Sequence, residues 1–174
     1  MAHSFPVRRS IRLPDYNYSI PGAYFVTICT VNKNCLFGEI KDGIAILNEI
    51  GNLVFKCWQK IPNHFSNAQL DEFIVMPNHL HGLIIIGNFT GEACLAPTTN
   101  PTRSKKDTLG SIIGSFKSSV TKHAKNFWPL AKGSFWQRGY YEHIVRNDDE
   151  LNHIREYIAA NPIRWDFDRE NPGI

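Results

Sequence analysis

The sequence contains no apolar run near the roughly 18 residues that a membrane-spanning helix needs, so no membrane partner is expected. Cysteine is scarce. Cys29, Cys35, Cys57 and Cys94 form no C-x-x-C pair, and no Cys/His grouping has zinc-finger spacing. A disulfide framework and a structural zinc site are therefore not expected, and the thiols read as reduced packing residues. The opening "MAHSFPVRRSIRLPDYNY" carries arginines with no apolar stretch behind them, unlike a secretory signal. A cytoplasmic location is the expectation. Net charge is also small, +3.

What is present is unevenly placed. A chain of 174 residues suits one domain with a real core. Its apolar fraction of 43% and charged fraction of 20% fit a globular protein. Between Pro101 and Asn147 there are nine Lys/Arg against two Asp/Glu, whereas the remainder of the chain is net negative. Such concentration fits a polyanion-binding surface, with a solvated helix face as the plainer reading.

Hydrophobic periodicity gives the elements. "AYFVTICTV" (Ala23 to Val31) reads as a strand, and "CLFGEIKDGIAIL" as a hairpin around Asp42-Gly43. Apolar Ile50, Leu53, Val54, Trp58 and Ile61 recur at helical spacing, and Pro62 is expected to stop that helix. "AQLDEFIVM" and "HLHGLIII" read as two strands joined through Pro77-Asn78. Residues 88–106 are rich in Thr, Pro, Gly and Asn and read as a long loop. Leu109, Ile112, Ile113, Phe116, Val120 and Ala124 form the stripe of a helix from about Asp107 to Asn126, with Lys117, Lys122 and Lys125 toward solvent. "SFWQRGYYEHIVR" reads as the last strand region and "NDDELNHIREYIAANP" as a capped helix ending before Pro162. Strand, helix, strand, strand, helix, strand is the order of a ferredoxin-like β-α-β-β-α-β antiparallel sheet, an α+β fold, here with an added C-terminal helix.

Side chains alternate across a strand, so His79 and His81 point the same way. Two neutral imidazoles on one rigid strand make a bidentate metal site, though a hydrogen-bonded non-ligand pair has the same spacing. On the last helix Leu151, Ile154 and Ile158 form the core stripe, and Tyr157 and Asn161 share its flank four residues apart. Asn161 would complete a site with the histidines, and Tyr157 would stand beside the metal. The plainer reading makes Tyr157 a boundary aromatic and Asn161 a helix end.

"VMPNHLHGLIII", "FWQRGYYEHIVRNDDELNHIREYIAANPIRW", "RRSIRLPDYNYSIPGAYFVTICT" and "LDEFIVMPNHLHG" together resemble the REP-associated branch of the single-tyrosine HUH transposases. The likeness runs from about Arg8 to Trp165. The P-N-H-x-H-G, W-Q-R and Y-I-x-x-N-P blocks in combination are far more specific than H-x-H. The resemblance implies a ferredoxin-like nuclease that cuts and rejoins single-stranded DNA. It places the family's two histidines on His79 and His81, its nucleophile on Tyr157, and its third metal ligand, Gln or Asn in relatives, on Asn161. It further implies Mg²⁺ or Mn²⁺ as cofactor and hairpin-forming repeats as DNA partner. Some relatives dimerise and exchange the tyrosine helix and others are monomers, so both a homodimer and a monomer remain open. On this reading 1–20 is a basic arm, 21–165 the transposase domain and 166–174 a C-terminal tail.

Several residues follow as candidate DNA contacts. Phe135, Trp136, Tyr140 and Tyr141 around Arg138 would stack bases, with packing in the core as the alternative. Lys105, Lys106, Lys117, Lys122 and Arg138 would meet phosphates, and Arg8, Arg9 and Arg12 would form an arm. Two other functions fit part of the pattern: a non-catalytic single-stranded nucleic-acid-binding module, and a metal hydrolase that uses activated water.

Overall fold

β-branched and aromatic residues fill Gly22–Cys29, which forms the first strand, β1. The computed structural model describes residues 21–87, 108–126 and 134–173. The expected arm at 1–20, the loop at 88–106, Cys94, Arg8, Arg9, Arg12, Lys105 and Lys106 lie outside the described residues. After β1 come a hairpin of Gly38–Lys41 (β2) and Ile44–Leu47 (β3), helices Glu49–Gln59 (α1) and Ile61–His64 (α2), and strands Ala68–Val75 (β4) and His79–Ile86 (β5). Leu109–His123 (α3), Tyr141–Val145 (β6) and Asp148–Ala160 (α4) follow, then a 3-10 turn at Pro162–Phe167.

The four long-range strands form one antiparallel sheet in the order β4-β5-β1-β6, the ferredoxin-like arrangement expected. The β2-β3 hairpin stands apart as its own two-stranded sheet. Its Asp42-Gly43 turn has φ of 50° and 73°, the left-handed pair that a two-residue hairpin demands.

β1 and β5 are buried on both faces, and alternation divides their side chains between two layers. Tyr24, Val26, Ile28, Leu80, Ile84 and Ile86 join Trp58 of α1 and Ile112, Ile113 and Phe116 of α3 in the main core. Ala23, Phe25 and Leu83 face the other way and pack with Val145 of β6 and Leu151 and Ile158 of α4. Burying Leu151 and Ile158 contributes about 1.5–3 kcal/mol each. The C-terminal helix thus covers the face that α1 and α3 leave bare. Gly82 is the point of closest approach on the main-core side. A Cβ there would lie 2.4 Å from Trp58 Cζ2, so only glycine lets the indole lie against β5.

Local chemistry sets the helix ends. Asn48 caps α1 by accepting from Gly51 N at 2.9 Å. Thr108 and Ser111 form a reciprocal capping box on α3. Asn147 caps α4 by accepting from Glu150 N at 2.8 Å, and three acidic residues fill the first turn.

Two expectations need revision. Pro62 does not stop the first helix: α1 ends at Gln59, and Pro62 sits in the first turn of α2, where its missing N–H is no loss. The last strand region is also shorter than expected. Only Tyr141–Val145 pairs with β1, and Trp136 makes an isolated bridge to Thr30. Cys29, Cys35 and Cys57 are free thiols. Among the described residues no helix is long and apolar enough to cross a membrane.

Candidate active site

The odd-numbered face of β5 carries the two histidines, both essentially buried. Each ring is held through Nδ1. His79 Nδ1 lies 2.8 Å from Asn78 Oδ1, and His81 Nδ1 lies 2.8 Å from the hydroxyl of Thr27, its cross-strand partner on β1. The Asn78 amide nitrogen is already committed, donating to Lys33 O at 2.9 Å and Glu170 O at 2.6 Å. Its oxygen therefore faces His79 and can only accept, which places the proton on Nδ1 and leaves a lone pair on Nε2.

The two Nε2 atoms stand 3.0 Å apart. Adjacent corners of an octahedral site with bonds of about 2.1 Å are about 3.0 Å apart, so the spacing suits two ligands of one cation. Burial, above all, pushes the His79 imidazole down to about 3, with Lys33 adding to the effect and Asn161 opposing it. His81 is also held well below the usual imidazole value, first by burial and then by His79, against Asp168. Both rings are neutral, as metal ligation requires.

Two oxygen donors complete the group. Asn161, buried at the end of α4, lies beside both the His79 ring and the Tyr157 hydroxyl, and its Oδ1 has no hydrogen-bond partner. Asp168, 9% exposed, arrives from the segment after the 3-10 turn. Its Oδ1 accepts from Glu170 N at 2.7 Å, while Oδ2 is buried without a partner, 3.9 Å from His79 Nε2. Ligand atoms of His79, His81 and Asp168 all fall within 4.8 Å of one another. Two unsatisfied buried oxygens beside two imidazole lone pairs are costly in an empty pocket and fit a hard divalent cation.

Tyr157 stands at the rim, 41% exposed. Its hydroxyl is 3.4 Å from His81 Nε2, and its ring meets Phe25 edge-on at 6.0 Å between centroids. Burial, then Asp168, raises its pKa above the ordinary phenol value, against a lowering by Asn161. Thus His79, His81, Asn161 and Tyr157, which the sequence nominates, converge within one chain. Glu150, in the first turn of α4, is engaged elsewhere. Its carboxylate accepts from Arg146 N and His143 Nε2, both at 2.7 Å, at the start of α4.

The candidate DNA contacts divide. Lys122 and Arg138 are exposed, and Tyr141, 46% exposed, lies on the face of the site with its ring 6.2 Å from Phe25. Tyr140 is half-buried against the main core. Trp136 is 7% exposed, packed among Phe37, Phe116 and Phe135, and its Nε1 donates to Lys117 O. It offers no open ring for a base, and Phe135 is likewise core. Lys117, expected toward solvent, instead donates to Gln137 O and Gly139 O and lies over the Trp136 ring. Burial lowers its pKa to about 8. The physical reason is the same for both: residues 134–140 fold across α3 and roof over a side chain that a helical wheel leaves in water.

Three residues at the site escape the sequence reading. Asn78 sits inside the P-N-H block, where an amide before a histidine was a usable signal. Thr27 and Asp168 are visible only through pairing and chain reversal. The segment 166–173, expected as a tail, is docked. Lys33 Nζ donates to Arg169 O at 2.6 Å and pairs with Glu170, whose carboxylate also accepts from Cys29 Sγ at 3.4 Å. Burial and Glu170 push the Cys29 thiol up to about 12.

No family model matches the chain. A Haemophilus influenzae protein, named only as uncharacterized, is 45% identical over 167 residues, which is 93% of this chain and 92% of that one. A REP-associated tyrosine transposase bound to a REP hairpin superposes with a TM-score of 0.60 at 17% identity, over 91% of this chain and 77% of its own. That likeness in fold agrees with the resemblance read from the sequence blocks. The chain belongs to one family with the Haemophilus influenzae protein, and its fold is that of the REP-associated tyrosine transposase.

Proposed function

We propose that the protein is a metal-dependent single-stranded DNA transposase that cuts and rejoins strands through Tyr157. The observation that carries this reading is the 3.4 Å approach of the Tyr157 hydroxyl to His81, in a pocket also lined by His79 and Asn161. The hairpin bound by the fold relative supports a structured single strand as substrate.

In the proposed reaction the Tyr157 oxygen bonds to a backbone phosphorus and the bond to the 3′ oxygen breaks. The phenol proton leaves and the 3′ oxygen takes one up, giving a 5′-phosphotyrosine and a free 3′-hydroxyl. Attack by a 3′-hydroxyl reverses the step and joins strands, and because the bond is conserved no ATP is consumed. Less than about one phenol in a thousand is ionised at neutral pH even before its pKa is raised, so Tyr157 needs help. His79, His81 and Asn161 would hold Mn²⁺ or Mg²⁺. When bound, the cation supplies Lewis-acid polarisation of a non-bridging phosphate oxygen. Thr27 and Asn78 keep the rings aimed, and Phe25 holds the phenol ring at the rim. Tyr141 would bind the strand beside the site, and Arg138, Lys122, Arg8, Arg9, Arg12, Lys105 and Lys106 would meet phosphates farther along it. Residues 21–165, with the segment 166–173 docked on them, would form the catalytic unit, acting within one chain.

The test is a labelled hairpin-flanked single strand incubated with the protein and Mn²⁺ or Mg²⁺, with the covalent adduct mapped by mass spectrometry. An adduct on Tyr157 is expected. One on Tyr140 or Tyr141 overturns the assignment, and cleavage with no adduct at all points to water as nucleophile.

A further inference from the structure

Asp168 brings a carboxyl group to donors that are otherwise imidazole and carboxamide, and among the described residues its inner oxygen has no hydrogen-bond partner. Oδ1 is fixed by Glu170 N, which turns Oδ2 inward, toward His79 Nε2. The side chain is 5% exposed, so water does not compensate it. The segment that delivers it is anchored to the same imidazole from the other side: Asn78 accepts from His79 and donates to Glu170 O. One buried carboxamide thus joins the metal-facing ring to the residues that carry the carboxylate.

Building on the metal site of the proposed function, we infer that Asp168 is a fourth protein ligand of the cation, so that cation binding and docking of residues 162–173 stabilise one another. Two imidazoles, a carboxamide and a carboxylate occupy four positions of an octahedral ion and leave two for phosphate oxygen and water. The carboxylate also adds an oxygen ligand of full charge, which favours a hard divalent ion over a soft one. Without the ion, the inner Asp168 oxygen is a buried polar atom with no hydrogen-bond partner, which works against the docked segment. With the ion, the same oxygen holds the segment down. Asn78 acts as a positioning residue for both halves.

The experiment compares Mn²⁺ binding, read by electron paramagnetic resonance, in the full chain and in Asp168→Asn, Lys33→Ala and His79→Ala. Thermal melting is measured with and without Mn²⁺. The expected result is at least tenfold weaker Mn²⁺ binding for Asp168→Asn and a much smaller loss, under about threefold, for Lys33→Ala, which loosens the segment without removing a ligand. Metal-free Asp168→Asn melts at or above the native protein, and saturating Mn²⁺ reverses that order. In the native chain Mn²⁺ slows hydrogen exchange of the Glu170 amide at least tenfold, and in Asp168→Asn it does not. Native Mn²⁺ affinity in Asp168→Asn, with loss in His79→Ala, overturns the fourth ligand and leaves the histidine site standing. Equal weakening in Lys33→Ala and Asp168→Asn reduces Asp168 to packing and also overturns it. Failure of the native chain to bind Mn²⁺ removes the metal site altogether, and the inference with it.

Discussion

Arg155 on α4 grips Asp71 on β4 with two prongs, Nε to Oδ1 at 2.8 Å and Nη2 to Oδ2 at 2.6 Å. Asp71 lies where the β4-β5 register shifts between Leu70 and Phe73, so an irregularity in the edge strand turns a carboxylate toward the helix. The guanidinium hydrogen bonds hold the Asp71 carboxyl below its ordinary range. Two residues along the same helix is Tyr157.

Arg155→Met should therefore act on Tyr157, the proposed nucleophile, more than on the fold. The Arg155 side chain is 41% exposed, so solvent screening limits the stability loss to about 0.5–1 kcal/mol. The covalent adduct should form several-fold more slowly while Mn²⁺ affinity falls less, because His79 and His81 ride on β5 and only Asn161 rides on α4. Urea denaturation and adduct kinetics check the pair, and an unaltered adduct rate would dissociate the clip from Tyr157.

Acid should destabilise the metal-free protein well above the range where carboxylates titrate. His79 has its folded pKa depressed to about 3, and His81 is depressed well below its usual value. Between the folded values and the unfolded value near 6.5, the unfolded chain binds protons that the native chain does not. Stability is thus present above about pH 6.5 and falls as pH drops through the window, by at most about 1.4 kcal/mol per pH unit for each ring. Urea titrations from pH 7.5 to 5 should show the decline, and a His79→Gln, His81→Gln double variant should flatten it. A flat native profile would mean that the rings accept protons in the fold.

Gly82→Ala should cost about 1–3 kcal/mol by overpacking against Trp58, with further loss of metal affinity because both flanking residues point into the pocket side. Pairing it with Trp58→Leu should restore part of the stability. Denaturation of the single and double variants decides whether the contact is the cause.

Trp136 and Tyr141 should separate cleanly. Trp136→Ala removes a core indole and should cost about 3–5 kcal/mol in stability. Tyr141→Ala should leave stability within about 0.5 kcal/mol and weaken single-stranded DNA binding by about 1 kcal/mol or more. A Tyr141→Ala variant that binds DNA normally would remove the stacking role.

Much of this molecule was legible because its signals are local. β1, β5 and α4 each carry a periodic pattern that a short window reads, and the pairing of His79 with His81 and of Tyr157 with Asn161 follows from period alone. Asp168 had no such signal. It returns to the site only because the chain reverses at Pro162, and nothing in the spacing from Asn161 encodes that reversal. Lys117 and Trp136 misled for a related reason. Lys117 obeys its helix and Trp136 lies outside any strand, and the cover laid over α3 by residues 134–140 is a tertiary fact.

β5 has one further property. Its even positions press against indole and isoleucine, and its odd positions present the imidazoles. A slip of one residue would exchange the two sets wholesale, driving the histidines into grease and the aliphatics into the pocket. Insertions and deletions within these eight residues therefore have no mild form. The reading frame of a single strand is what keeps the imidazole pair and the main core on opposite sides of the same ribbon.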